Sequence, residues 1–438
     1  MPLYFLDPYG CVKNQVDAEN MMALLEGSGW AAAESPAEAD LIIVNSCGFI
    51  ESAKRQSINA VLSWRKTYPG KKILLAGCLA QRYAADLALS LPEADALFGN
   101  ADLGGIAAAA AALLENPAPG APRPGAVPAR PGSRPLLSLP GSAYVKISEG
   151  CDNRCSFCSI PLIRGGLRSR EAGELLAECR EFLGRGIREL CLIGQDTGSY
   201  GRDREGGPAL PGLLEAIAAL PGDFWLRILY IHPDSFPLPI LDTMKRDSRF
   251  LPYFDIPFQH GSDRILAAMN RRGRAETYLD LIARIREALP DAVIRSTFLL
   301  GFPGETGEDF ERLLDFQEKA RLDWAGCFAY SREEDTPAYA MKGRVAKKAA
   351  RERKRIVEER QVPISGEQME RFVGRRMDVL VEEALDPEGG LYLGRLYCQA
   401  PEVDGVTVIN AGRPLEPGSL VRGKVTGRAG FDLEILIE

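Results

Sequence analysis

The chain has 438 residues, 46% hydrophobic and 26% charged, with 53 basic against 60 acidic side chains and a net charge of −7. That composition suits a folded chain of about two to four domains, and its mild acidity excludes a broad nucleic-acid-binding field while leaving room for local patches. Ten cysteines against two histidines, with no leader-like or bilayer-length apolar run, point to a cytoplasmic protein whose thiols bind metal rather than form disulfides.

In chain order, the apolar run 3–6 predicts a strand, 15–26 a helix, 41–44 a buried strand, 51–66 a helix and 72–75 a third strand, with the Ala-rich run 106–114 as a closing helix. Alternating strands and helices build a parallel sheet with helices on its faces. Residues 116–142 hold eight prolines and four glycines, which reads as a linker. Six strand candidates follow (143–148, 189–193, 225–231, 253–257, 293–300 and 325–330), with helical patterns such as 172–183, 211–220, 275–289 and 308–321 between them. Six such units predict a partial (β/α)6 TIM-like barrel whose chemistry lies at the C-terminal strand ends. A charged helix over 345–368 comes next, then short alternating runs at 377–382, 391–397, 406–409 and 420–425 that predict a small antiparallel β-barrel. The expected class is α/β, in segments 1–115, 116–142 (linker), 143–365 and 366–438.

Cys151, Cys155 and Cys158 form a C-x₃-C-x₂-C loop directly after the first barrel strand. Three thiolates this close grip three corners of a cubane cluster and leave the fourth iron free to chelate a substrate. Zinc wants a fourth ligand, and no Cys or His is near in sequence. Core thiols are rarely found three in eight residues of a loop flanked by Gly and Asp.

Cys11, Cys47 and Cys78 each follow a predicted strand. Strand ends of a parallel sheet share one edge, so three thiols there converge and suit a second three-ligand cluster. On spacing alone, small apolar residues at sheet ends remain the alternative. Cys179, Cys191, Cys327 and Cys398 fit no such pattern and read as packing residues.

Several polar positions fall at expected strand ends. Gln195 follows the second barrel strand and offers a donor and an acceptor. Gln259 and His260 follow the fourth. The run Gly301-Phe302-Pro303-Gly304-Glu305 ends the fifth, its glycines allowing an adenosyl group to approach or simply making a turn, with Glu305 at a helix start. Arg164 and Arg168, after the cysteine loop, are candidates to hold a carboxylate. His232 carries a weaker version of the His260 reading, for which a structural role is the alternative.

The stretches Gly10-Cys11-Val12-Lys13-Asn14, Asn45-Ser46-Cys47-Gly48-Phe49-Ile50, Gly77-Cys78-Leu79-Ala80-Gln81-Arg82-Tyr83, Ile147 through Cys155 and Asp255-Ile256-Pro257-Phe258-Gln259-His260 resemble the radical S-adenosylmethionine methylthiotransferases over nearly the whole chain. The resemblance is to the branch acting on an aspartate of small-subunit ribosomal protein twelve. Val12 departs from it, standing where that branch usually has proline. The resemblance implies two 4Fe–4S clusters and S-adenosylmethionine, with a TRAM-type barrel as the tail. Cys151, Cys155 and Cys158 would then hold the cluster that cleaves the cofactor, and Cys11, Cys47 and Cys78 the one that carries sulfur. Gln195, Gly301, Glu305, Gln259 and Arg168 are the implied cofactor contacts. One cofactor molecule methylates the carried sulfur. Another yields a 5′-deoxyadenosyl radical that removes hydrogen from the unactivated β-carbon, a C–H bond no ordinary base can break. The implied partners are the ribosomal protein or the small subunit and an electron donor such as flavodoxin or ferredoxin, with no membrane.

Related enzymes methylthiolate an adenosine of transfer RNA. Residues 366–438 hold eight basic and thirteen acidic side chains. An RNA-binding barrel is basic, whereas an acidic one suits a basic ribosomal protein, with Asp386, Glu388, Glu402 and Asp404 as candidate contacts. The stretch 342–360, with nine basic and three acidic side chains, suits RNA or a solvated connector. A non-catalytic iron–sulfur scaffold is the third reading, against which the intact C-x₃-C-x₂-C loop argues.

Overall fold

The computed structural model describes residues 1–115, 133–207 and 209–437, so the first part of the predicted linker lies outside the described residues. The chain divides into two compact units. One comprises the described residues of Met1–Leu137 with Glu149–Arg170 and Ser331–Tyr339; the other comprises Ser138–Ser148, Glu171–Tyr330 and Ala340–Glu438. This division cuts across the segments expected from sequence, because the 151–158 cysteine loop goes with the N-terminal sheet.

In the first unit, strands β1 (Leu3–Pro8), β2 (Ala31–Ala32), β3 (Leu41–Ser46), β4 (Lys72–Gly77) and β5 (Ala96–Phe98) pair in parallel in the order β2-β1-β3-β4-β5. The period of two in β3 sends Leu41 and Ile43 to one face, where helix α1 (Val12–Gly27) contributes Met21 and Leu25, and Ile42 and Val44 to the other, where Val61 of helix α2 (Glu51–Thr67) packs. A sheet covered on both faces reads as continuous apolar runs, which is why its strands were legible.

In the second unit, β6 (Ser142–Lys146), β7 (Glu189–Ile193), β8 (Trp225–Ile228), β9 (Phe250–Asp255), β10 (Val293–Leu300) and β11 (Trp324–Ala329) form an open parallel sheet in sequential order. This is the expected partial barrel. The charged helix runs Lys347–Glu370 and has Pro363 inside it. The tail closes into a five-stranded barrel of β12 (Arg376–Asp386), β13 (Leu391–Leu396), β14 (Thr407–Ala411), β15 (Leu420–Ala429) and β16 (Asp432–Ile437). Its pairs are antiparallel except the closing β14–β16 pair, which is parallel. Sequence pattern could not show that closure, because alternation is the same for either direction.

The tail barrel is tied to the half-barrel by a buried ionic network. Glu189 Oε1 accepts from Arg227 Nε at 2.7 Å and its Oε2 from Arg395 Nη2 at 2.6 Å, while Arg395 Nε reaches Glu382 at 2.6 Å. Arg395 also donates to the Gln399 carbonyl at 3.0 Å and Arg227 to the Tyr397 carbonyl at 2.9 Å. Asp404 belongs to a second set, accepting from Tyr253 Oη at 2.5 Å and Arg295 Nε at 3.2 Å with its side chain 1% exposed. It is therefore a packing residue and not the surface contact expected from sequence; Asp386, Glu388 and Glu402 are exposed.

Burial alone would raise the Glu189 pKa, but Arg395 and Arg227 outweigh it and lower it from 4.5 to about 2. A carboxylate depressed in the folded state stabilises the fold above its unfolded pKa and loses that contribution as pH falls. The second unit accordingly loses about 3 kcal/mol between pH 4.5 and 2 from this group. Glu189→Gln, which strands buried guanidinium charge, lowers its stability by about 3–5 kcal/mol at neutral pH. Urea unfolding of both proteins across this pH range checks both values: the variant starts less stable and shows a shallower acid loss.

Candidate functional site

Cys11, Cys47 and Cys78 leave the C-terminal ends of β1, β3 and β4, which are adjacent in the sheet. Their loops meet because glycines flank them. A Cβ on Gly10 would stand 3.1 Å from that of Cys47, and one on Gly48 only 2.7 Å from the Cys78 carbonyl oxygen. Asn14 stitches the loops together, its Nδ2 donating to the Tyr9 carbonyl at 2.6 Å and the Ser46 carbonyl at 3.2 Å, while Asn45 Nδ2 donates to the Asn14 carbonyl at 2.8 Å. Cys11 is exposed, Cys47 half-buried and Cys78 buried, so the trio opens on one side.

Electrostatics fits the same purpose. Burial first, then Cys11, Asp17 and Cys47, push the Cys78 thiol up to about 12 against the downward pull of Arg164. Burial also raises Cys47, with the Phe49 amide opposing and Cys11 adding. Burial above all opposes ionisation of Cys47 and Cys78, so holding them as thiolates calls for a cationic group, which an iron–sulfur core would supply. Among the described residues no three His, Cys, Asp or Glu side chains are arranged around a single metal ion. Thiolates that each take a different iron of a cubane stand further apart than ligands sharing one ion.

Cys151, Cys155 and Cys158, all half-buried, sit on a pinned loop. Gly150 has φ +69°, and a Cβ there would lie 2.0 Å from the Gly166 carbonyl oxygen, so only glycine is accommodated. The Cys151 amide donates to the Gly165 carbonyl at 3.1 Å, the Leu167 amide to Asp152 Oδ1 at 3.1 Å, and the Ala338 amide to the Ser156 carbonyl at 2.8 Å. Three partly open sulfurs on a rigid loop fit a cluster with three protein ligands.

The arginines depart from expectation. Arg164 does not wait for a ligand: it is buried, donating to Glu149 at 2.9 Å, Asp17 at 2.8 Å and Cys78 Sγ at 3.3 Å. Arg168 donates to the carbonyls of Arg164 at 3.1 Å and Gly166 at 3.4 Å, so it braces the loop. Asp17 and Asn100, whose Nδ2 donates to Cys78 Sγ at 3.3 Å, had no spacing signal of their own. The one available hint is that Asp17 lies a helical turn beyond Asn14 on α1.

In the second unit, Gln195 follows β7 and Gln259 follows β9, and neither side-chain amide is hydrogen-bonded among the described residues. Gln259 has φ +71° and bridges to Phe298 through its backbone. Glu305 already has partners within the fold. It is buried, its Oε2 accepting from the Gly301 and Phe302 amides at 2.5 and 3.1 Å and its Oε1 from Arg353 at 2.5 Å, so it orders its own turn. Gly301 has φ +77°, and a Cβ there would stand 2.4 Å from that of Ala350, so helix packing also demands the glycine. His260 is buried, its Nδ1 accepting from the Ser262 amide at 2.9 Å and its pKa lowered to about 3, by burial first. His232 caps a turn through the Asp234 amide at 3.2 Å, and burial lowers it to about 2. Burial disfavours the charged form of both histidines. Asp196 anchors the loop after β8, accepting from Ser235 Oγ at 2.7 Å and the His232 amide at 3.0 Å.

Comparison with known proteins agrees with this arrangement. Residues 145–316 match the radical SAM superfamily, 373–435 the TRAM domain and 4–99 an uncharacterized protein family, UPF0004. The ribosomal protein uS12 methylthiotransferase RimO of Treponema denticola is 47% identical over 98% of this chain and 99% of its own length. The chain belongs to the RimO family. The member from Carboxydothermus hydrogenoformans is 40% identical over 98% of both chains. The fold is also that of TsrM, a radical S-adenosylmethionine methyltransferase from Kitasatospora setae solved with cobalamin and a 4Fe–4S cluster, at TM-score 0.58 and 15% identity over 77% of this chain and 74% of that one. Within the RimO family frame, this chain gathers both cysteine trios in one compact unit.

Proposed function

We propose that this radical S-adenosylmethionine methylthiotransferase places a methylthio group on the β-carbon of an aspartate of ribosomal protein uS12. The observation that carries the reading is the packing of the 151–158 cysteine loop into the unit whose sheet edge bears Cys11, Cys47 and Cys78. Delivering sulfur to a carbon radical requires the sulfur source and the radical source to be held together. Cys151, Cys155 and Cys158 would hold the cofactor-cleaving 4Fe–4S cluster, and Cys11, Cys47 and Cys78 the sulfur-carrying one. A 4Fe–4S cluster with an open iron supplies one electron to S-adenosylmethionine at the first site and a holding point for sulfur at the second.

The chain's own residues supply orientation. Gly150 and Asp152 fix the loop that carries three of the sulfurs, and Asn14 and Asn45 fix the loops of the other three. In the second unit, Gln195 and Gln259 stand at strand C-terminal ends with uncommitted amides, the donor and acceptor groups that the amino-acid end of the cofactor calls for. The exposed Asp386, Glu388 and Glu402 of the acidic tail meet the basic ribosomal protein. The protein works in the cytoplasm, where ribosomes assemble, and draws its electron from a flavodoxin or ferredoxin.

The test gives purified enzyme uS12, small ribosomal subunits and transfer RNA in parallel, with S-adenosylmethionine and a reductant. One methylthio group on a single aspartate of uS12 is expected. Modification of an RNA adenosine alone would overturn the choice of substrate, and no reductive cleavage of the cofactor would favour a scaffold.

A further inference from the structure

A buried guanidinium joins the two cysteine regions. Arg164, only 5% exposed, donates from Nη1 to Glu149 Oε2 at 2.9 Å and from Nη2 to both Asp17 Oδ2 at 2.8 Å and Cys78 Sγ at 3.3 Å. A guanidinium keeps its proton in proteins, and two carboxylates meet this one in the interior. Asn100 Nδ2 reaches the same sulfur at 3.3 Å, so Cys78 takes two N–H donors from side chains. On the other side, Glu149 stands two residues before Cys151, with the conformationally fixed Gly150 between them.

We propose that Arg164 is a positioning residue for the sulfur-carrying cluster, raising its reduction potential through the N–H···S bond to Cys78 and fixing the Cys151 loop against it through Glu149. The inference rests on the assignment of Cys78 as a cluster ligand. Reduction adds negative charge to a cluster. A fixed cation and N–H donors at a ligating sulfur stabilise that added charge, and hydrogen bonds to sulfur are a recognised lever on cluster potential. A guanidinium does this better than an ammonium because its planar fork serves two carboxylates and the sulfur at once. One residue thereby ties the charge state of one cluster site to the geometry of the other loop.

The experiment uses full-length protein reconstituted anaerobically with iron and sulfide, as wild type and as Arg164→Met, Arg164→Lys and Asn100→Ala. Iron per chain is counted, and each cluster's potential is read by redox titration followed by electron paramagnetic resonance. In Arg164→Met the ratio of reduced to oxidised sulfur-carrying cluster at a fixed potential falls about tenfold, which is about 59 mV for a one-electron couple. The Cys151 cluster moves much less, Arg164→Lys recovers part of the shift, and Asn100→Ala moves the same cluster in the same direction. If Arg164→Met fails to fold, Arg164→Lys and Asn100→Ala carry the test: each lowers the potential of the same cluster by less, and an unchanged potential in both overturns the N–H···S role. An unchanged potential in a variant that holds both clusters overturns the role of Arg164. A wild type that never holds two clusters overturns the cluster assignment itself, and the two failures are separated by the iron count.

Discussion

Replacing Cys151, Cys155 and Cys158 together with alanine removes reductive cleavage of S-adenosylmethionine entirely. It lowers reconstituted iron from about eight to about four per chain. The expectation follows from the loop. Its path is set by Gly150, by the Cys151–Gly165 backbone hydrogen bond and by Asp152, none of which depends on the sulfurs, so the triple variant keeps its fold. The half-buried thiols contribute little core area. Activity therefore falls to the uncatalysed background, a loss on the order of 10⁶-fold or more, while thermal unfolding shifts little. Iron and 5′-deoxyadenosine, measured on the same preparation, check this. Retained cleavage would remove these cysteines from the chemistry.

The complementary variant separates the two halves of the reaction. Cys11→Ala, at the exposed member of the other trio, abolishes methylthio transfer to uS12 while leaving cofactor cleavage within a few-fold of wild type. Cys11 is the better position because Cys78 is buried and accepts from Arg164 and Asn100, so its removal also disturbs a buried ion-pair cluster. The observation to make is 5′-deoxyadenosine formed without modified aspartate. Loss of both activities together would mean that the two sites do not act separately.

Much of this was legible in the sequence, for physical reasons that differ by element. The strands of both sheets read as apolar runs because they are covered on two faces, and the cysteine loop was readable because close spacing on one loop needs no tertiary information. The convergence of Cys11, Cys47 and Cys78 followed from a single rule, that parallel strand ends share an edge. The charged residues were not legible. Arg164, Glu305 and Asp404 carry chemistry-bearing side chains at suggestive positions, yet each meets charged partners inside the fold, up to more than a hundred residues away, such as Asp17 for Arg164 and Arg295 for Asp404. A sequence shows that a charge is present and not which opposite charge it will be buried against. At Gly301 the demand for glycine was seen, but the helix that adds to it lies in another part of the chain.

The most direct test of the central claim is whether each set of three thiolates leaves one iron accessible. In anaerobically reconstituted full-length protein, Mössbauer and electron paramagnetic resonance spectra should show two 4Fe–4S clusters. S-adenosylmethionine should perturb only the cluster lost in the Cys151/Cys155/Cys158 variant, and methanethiolate only the one lost in the Cys11 variant. A single cluster, zinc in place of iron, or two clusters that respond to neither added molecule would contradict it.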